Sequence, residues 1–297
     1  MYQIITDGSC DLAQENIEKY GLKVIPFYVT MDGKTYQKEI EEIGIREFYQ
    51  MMVDMPKQFP MTSLPSVQDY MEVFEPVAEQ GKDIICICIT TKFSGSYNSA
   101  ISAKELLAEK YPDIKVAVID SRVNTVLQGL VVLEAAKMQK QGCSFEEVLE
   151  HLDKIIPTAR IFFTIGNMDY LVHGGRVGKL SGIAAGKLGI KPLILLKEGE
   201  IFPNGLARGR IRSMEKVLDQ VMQYIEDGEN DPDKYSISVG YGYDIEEGKR
   251  FREKFHQAIR EKYPDAKEEV QLMQIGAMIS VHTGPYPIGV GIVRRWK

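Results

Sequence analysis

This chain is poor in cysteine and histidine and carries no excess of positive charge, and each shortage closes a class of function. Four cysteines in 297 residues are too few and too scattered for a disulfide framework. Cys86 and Cys88 stand two apart in Asp83-Ile84-Ile85-Cys86-Ile87-Cys88-Ile89, so a strand would point both to one face. That pair suits a soft metal or, as is commoner, two small buried residues of a core strand. The four histidines (His151, His173, His256, His282) form no HExxH or comparable cluster, so no metal site is expected. A net charge of −6 argues against nucleic acid and anionic membrane as partners. No apolar run reaches the roughly 18 residues needed to cross a bilayer, so stable membrane insertion is not expected. The opening Met1-Tyr2-Gln3-Ile4-Ile5-Thr6-Asp7 lacks the charged-then-apolar pattern of a signal peptide and reads as a first strand. The cytoplasm is the expected compartment.

What is present is an ordinary globular composition, 44% hydrophobic and 26% charged, in a chain above the size at which one core stops growing. Two domains are expected. The first half alternates strand patterns (Gln3–Thr6, Val24–Met31, Ile84–Thr90, Val116–Asp120) with helical ones (Asp11–Tyr20, Ile45–Met52, Ser66–Gln80, Gly95–Lys110). Strands separated by helices of this length favour crossovers and a mostly parallel sheet, with sites at the strands' carboxyl ends. Ser66 with Asp69 makes a variant capping box, and Asp32-Gly33 is a turn signal. Helices Thr125–Gln141 and Phe145–Ile156 follow, and Pro157 ends the second. The boundary is set there: 1–157 is an N-terminal α/β domain and 158–297 a C-terminal one. The second half offers strands at Arg160–Ile165, Pro192–Lys197, Ser236–Tyr241, Glu269–Ile275 and Ile288–Arg294. Its helices are Ile183–Leu188, Arg212–Glu226 and Glu246–Tyr263, and Glu198-Gly199-Glu200 is a tight turn into a short return strand. Hairpins among helices predict a mixed or antiparallel sheet.

Three small polar clusters fall at strand-to-helix junctions: Asp7-Gly8-Ser9-Cys10-Asp11, Thr62-Ser63-Leu64-Pro65-Ser66 and Thr90-Thr91-Lys92-Phe93-Ser94-Gly95-Ser96-Tyr97. Hydroxyls and free amides at a helix start suit a carboxylate or phosphate, or simply cap the helix. In Asn167 to Arg176, Gly174-Gly175 allows close backbone approach and Arg176 can fix an anion or a neighbouring loop. His282-Thr283-Gly284-Pro285 reads as a histidine in a turn, structural or functional. Arg208, Arg210 and Arg212 form an alternating basic stretch, either a docking surface or a solvated one. Ser94, His282 and Asp120 could make a hydrolase triad, yet Ser94 lacks the G-x-S-x-G elbow. Gly178-Lys179 and Gly186-Lys187 lack the phosphate-binding loop pattern, and the dinucleotide signature is missing after the first strand.

Taken in order, these segments resemble the DegV family of bacterial lipid-binding proteins, which includes the fatty-acid-binding subunits of bacterial fatty acid kinase. The resemblance is carried by Thr6-Asp7 with Asp11-Leu12, Thr62 to Ser66, Ser94-Gly95-Ser96-Tyr97-Asn98-Ser99-Ala100, Asp120-Ser121, Tyr170-Leu171 through Arg176, Ile190-Lys191-Pro192 and His282-Thr283-Gly284-Pro285. It implies two α/β domains with the acyl chain of a long-chain fatty acid between them. It implies that Thr62 and Ser94 hydrogen-bond the carboxylate, with His282 and Arg176 in the polar network around it. It further implies a non-catalytic subunit without cofactor, whose bound carboxyl group a separate fatty acid kinase catalytic subunit phosphorylates. The alternatives are a serine-dependent esterase or thioesterase, and a carrier of another elongated lipid acid without a kinase. Gly8 stands where serine is common, His173 where lysine is, and Tyr286 where glycine is. The last would reshape the pocket near the head group. An acyl tail also needs an apolar tunnel, for which Ile183, Ala184, Ala185 and Leu188 are wall candidates or plain core.

Overall fold

The computed structural model describes residues 1–182, 189–267 and 269–296. In chain order the first half supplies β1 (Tyr2–Asp7), α1 (Gln14–Tyr20), β2 (Lys23–Ile25), β3 (Tyr28–Thr30), β4 (Gln37–Lys38), α2 (Ile45–Asp54) and β5 (Met61–Ser63). Then come α3 (Val67–Glu79), β6 (Asp83–Cys88), α4 (Ser96–Lys110), β7 (Val116–Asp120), α5 (Thr125–Lys140) and α6 (Phe145–Ile155). The second half continues with β8 (Arg160–Thr164), α7 (Asp169–His173), β9 (Ile190–Lys197), β10 (Glu200–Arg208) and α8 (Arg210–Asp227). It ends with β11 (Tyr235–Tyr241), α9 (Ile245–Lys262), β12 (Gln271–Gln274), α10 (Ala277–Thr283) and β13 (Ile288–Arg294).

The first sheet is parallel, in the order β2-β1-β6-β7. Its central strand β6 is an unbroken apolar run because both faces are covered. Ile85 and Ile87 face the large core that includes α5, whereas Ile84, Cys86 and Cys88 face α3 and α4. Cys86 and Cys88 are therefore small core residues; Cys88 Sγ lies 3.6 Å from the Tyr70 hydroxyl. The second sheet runs β10-β9-β8-β13-β11-β12 and is mixed, since β11 and β12 are parallel and the other neighbours antiparallel. Its outer face takes α8 and α9 through Val217, Val221, Phe251 and Phe255.

Between the two sheets lies α5. It is mostly apolar and buried around its whole circumference, with Thr125 to Ala136 all buried, which is the pattern of a helix enclosed on every side. It touches β1 of the first sheet and β11 and β13 of the second. The second sheet makes room with glycine: a Cβ at Gly240 would lie 3.2 Å from Val126, and one at Gly291 would lie 3.2 Å from Leu127. The resulting order of layers is α3/α4, sheet, α5, sheet, α8/α9.

Three local expectations need correction. Val24–Met31 is not one strand: it breaks at Pro26 into β2, in the first sheet, and β3, in a separate sheet of order β4-β3-β5. Proline cannot donate to the ladder, and the Phe27 amide turns to the carboxylate of Glu39 (3.4 Å). Thr62, expected only at a strand-to-helix junction, lies on β5, a short strand missing from those expected, and pairs with Val29. His282 is not in a turn but on the last turn of α10; a seven-residue helix is too short to show a periodicity. Expected helix Ile183–Leu188 lies outside the described residues. Elsewhere the expected elements hold to within a few residues, and the Ser66–Asp69 capping box is formed, with Ser66 Oγ accepting from the Asp69 amide at 3.1 Å. Among the described residues no helix is long and apolar enough to cross a membrane.

Candidate functional site

A cavity of about 240 Å³ lies between the carboxyl-end loops of the first sheet, the start of α5 and the inner face of the second sheet. Its walls are mostly apolar. Ile89, Phe93 and Val126 come from the first half, and Phe163, Leu196 and Ile288 from the second. The polar groups are few, and Thr62, Ser94, Arg176 and His282 are all among the lining residues. Residues separated by 220 positions in the chain are thus brought onto one cavity by the end of β5, the β6–α4 loop, the segment after α7, and α10.

Each of the four has a distinct state. Ser94 precedes α4, and its Oγ accepts the Ser96 amide at 3.2 Å; its own proton has no acceptor among the described residues. The Thr62 hydroxyl has no partner among the described residues either, so both can donate to an anion. His282 is held neutral at physiological pH, because burial, reinforced by the Arg176 charge, pushes its pKa down to about 4. Its Nδ1 is buried without a hydrogen-bond partner among the described residues. The ring fits because residue 174 is glycine: a Cβ there would stand 2.1 Å from Nδ1. Arg176 is exposed at the edge of the cavity. Its Nε and Nη2 donate to the Phe93 carbonyl (3.2 and 3.0 Å) and Nη1 to the Gly174 carbonyl (2.8 Å). It therefore ties the loop carrying Ser94 to the loop packed on His282.

The Asp7–Asp11 junction behaves differently from the other two. Asp7 is fully buried and points inward, where Oδ2 accepts from the Ile89 amide (3.0 Å) and Ser96 Oγ (2.8 Å), and Oδ1 from Gln128 Nε2 (2.8 Å). Burial raises its pKa despite these bonds. Asp11 accepts from Thr125 Oγ1 at 2.5 Å. The cluster is thus occupied by its own carboxylates and does not form a third anion-binding junction. The helix α10, with Met278, Ile279 and Thr283 on the cavity, and the buried acid Glu39 behind it, were not anticipated. Glu39 sits in the polar run Tyr36-Gln37-Lys38-Glu39, which gives no sign of burial.

Other sequence candidates resolve individually. Asp120 accepts from Thr91 Oγ1 (2.7 Å) and the Arg122 amide (2.8 Å), and the orphaned His282 Nδ1 lacks the carboxylate that a hydrolase triad would place there. Arg210 is half-buried and clasps Glu247 through Nε (2.9 Å) and Nη2 (2.5 Å), so Arg208, Arg210 and Arg212 are not one free basic stripe. Tyr286 does not line the cavity; it is exposed and meets the Tyr243 ring edge-on. His173 stacks on Phe59 at 3.5 Å. Gly8 leaves space for Glu39, whose Oε1 would be 2.4 Å from a Cβ. Wall candidates Ile183, Ala184, Ala185 and Leu188 lie outside the described residues.

Comparison with known proteins agrees with this architecture. A stearic acid-binding protein from Eubacterium ventriosum is 46% identical and superposes with a TM-score of 0.92 over 99% of both chains. A DegV family protein from Thermus thermophilus, described for its fatty acid binding, is 27% identical with a TM-score of 0.86, again over 99% of both chains. A DegV domain-containing protein of Clostridium perfringens is 28% identical over 297 residues, 99% of each chain. The family model matching residues 1–295 is that of DegV, and with that span covered the chain belongs to the DegV family.

Proposed function

We propose that the protein binds one long-chain fatty acid in this cavity, between an N-terminal unit (1–157) and a C-terminal unit (158–297), and presents its carboxylate to a separate kinase. The observation that carries the reading is the cavity itself: mostly apolar walls, with Thr62, Ser94, His282 and Arg176 among the polar lining residues, beside Ser63, Asn124, Thr125 and Thr283. Fatty acid binding described for relatives up to 46% identical supports it. In this reading Thr62 and Ser94 donate to the carboxylate, neutral His282 donates from one ring nitrogen, and Arg176 holds the two loops around the head group. Burying about 14 methylenes is worth on the order of 11 kcal/mol before association entropy is subtracted. Each hydrogen bond to the charged head adds about 1–3 kcal/mol. The tail therefore dominates affinity and the polar residues set depth and orientation.

The protein is a non-catalytic carrier acting in the cytoplasm, and the acyl phosphate forms only when a catalytic partner supplies the phosphoryl group. An esterase acting through Ser94 and His282 is disfavoured by Nδ1, since no group among the described residues orients the imidazole as a base. Denaturing extraction of the purified protein followed by mass spectrometry should release a fatty acid. Repeated failure to recover or load any fatty acid would overturn the reading. Turnover of acyl esters by the isolated chain, lost in Ser94→Ala, would establish the esterase instead.

A further inference from the structure

Behind the cavity wall lie two buried carboxyl groups that the head-group chemistry does not use. Glu39 Oε2 accepts the Met278 amide at 3.0 Å, and Oε1 accepts the Phe27 amide at 3.4 Å. Asp11 accepts from Thr125 Oγ1 at 2.5 Å. Phe27, Thr125 and Met278 all line the cavity, and they come from three separate parts of the chain. The two acids converge on Gly276, where a Cβ would stand 2.3 Å from Asp11 Oδ1 and 3.7 Å from Glu39 Oε2. Space at this point is kept for carboxyl groups on both sides, and the helix that starts here, α10, ends at His282.

We propose that Asp11 and Glu39 are positioning residues that carry at least one proton between them at neutral pH and pin the cavity wall shut, so that loss of that proton speeds release of the bound ligand. The inference rests on the fatty-acid reading above for the identity of that ligand. Its geometric basis is independent of it, because the wall contacts exist whatever the cavity holds.

The surroundings favour the protonated state. Burial, opposed by the Thr125 and Gly276 hydrogen bonds, leaves the Asp11 pKa raised to about 7. Burial and then the Asp11 charge raise Glu39 to about 8. The other titratable groups facing them are Asp7 and Cys10 on the β1 side and Tyr49 from α2, all of which burial keeps toward the neutral form. Asp7 acts on both acids with the same sign. Acids whose folded pKa exceeds the unfolded value stabilise the fold below the unfolded pKa, and that stability is lost as pH rises through the folded one. The window runs upward from the ordinary carboxylate range to about pH 8. His282, at about 4, is already neutral across its upper part.

The test uses the full chain loaded with radiolabelled stearic acid, with release into excess albumin followed from pH 6.5 to 9. Wild type is expected to release about tenfold faster at pH 9 than at pH 6.5, whereas the double variant Asp11→Asn with Glu39→Gln, which keeps the shape without either charge, stays within about twofold. Glu39→Gln alone keeps part of the slope, because burial still raises Asp11. A thermal-midpoint profile of the ligand-free protein runs in parallel, and wild type should lose stability over the same window while the double variant does not. A wild-type slope retained in the double variant, or a flat wild-type thermal profile, overturns the proposal. Failure of stearate and other fatty acids to load at all counts against the fatty-acid reading, and the thermal profile then decides the carboxyl pair alone.

Discussion

The junctions after β1 and β6 are built from the same materials and do opposite things. Each follows a parallel strand, each is a run of small polar residues, and each leads toward a helix. At the β1 junction the acceptor is internal: the Asp7 carboxyl group, which burial pushes toward its neutral form, takes up an amide, a hydroxyl and an amide side chain. At the β6 junction the donors are left open, with the Ser94 proton unclaimed and Arg176 spanning from the other half of the chain to the Phe93 carbonyl. The β1 junction in fact braces the β6 one, since Ser96 Oγ, two residues past Ser94, donates to Asp7 Oδ2. An aspartate at the strand end converts an anion-binding turn into a structural bolt, and its absence leaves the turn free for an external carboxylate.

The largest effect should come from removing that internal carboxyl group. Asp7→Ala strands the Ile89 amide in a dry interior and takes one partner each from the Ser96 hydroxyl, which keeps Tyr70, and from Gln128 Nε2, which keeps Thr6; it should cost about 2–4 kcal/mol of stability in urea unfolding. A loss under about 1 kcal/mol would mean that those donors find other partners, and the contrast between the junctions would collapse. Next comes Gly174→Ala. Its φ is ordinary, −73°, so the penalty is spatial: the methyl group drives His282 from its place, costing about 1–3 kcal/mol by overpacking. Ligand retention should fall more than stability does, and a fluorescent fatty acid displacement assay measures that difference. Arg176→Ala ranks third. The side chain is exposed, so unfolding should shift by no more than about 1 kcal/mol, while exchange of bound fatty acid quickens because the two loops are no longer tied. Unchanged exchange would remove Arg176 from the site.

How much of this could be read from the chain follows from the range of the forces involved. Parallel strands, the Ser66 capping box and the long helix α5 are local patterns, and their limits in the sequence match the structure closely. Thr62, Ser94, Arg176 and His282 could be named because ordered motifs carried them, although the helix under His282 was invisible at seven residues. The inward turn of Asp7 could not be read. Its partners Ile89 and Gln128 are 82 and 121 positions away, so the same five residues would fit a cap, a ligand site or a bolt. Glu39 was missed for the same reason: a glutamate among Gln37 and Lys38 reads as surface until Phe27 and Met278 close around it. The break at Pro26 was legible by rule, since a residue without an N–H seldom sits inside a ladder; the apolar run around it concealed it.

The smallest expected change in stability is also the sharpest test of the comparison. Ser94→Ala removes one acceptor for the Ser96 amide at the start of α4. Cap deletions of this kind cost about 0.5–1 kcal/mol, well below the expected loss at Asp7. The ligand-free variant should therefore melt close to wild type. A saturating ligand stabilises a protein by an amount that grows with the logarithm of its concentration over Kd. If the β6 junction is the open one, Ser94→Ala should shrink the thermal shift that added fatty acid produces, and a chain of the same length with a methyl ester head should shift wild type and variant alike. Equal shifts by the free acid in both proteins would show that Ser94 does not touch the head group. The carboxylate would then have to be held from the Thr62 and His282 side, and the open junction would be a cap after all.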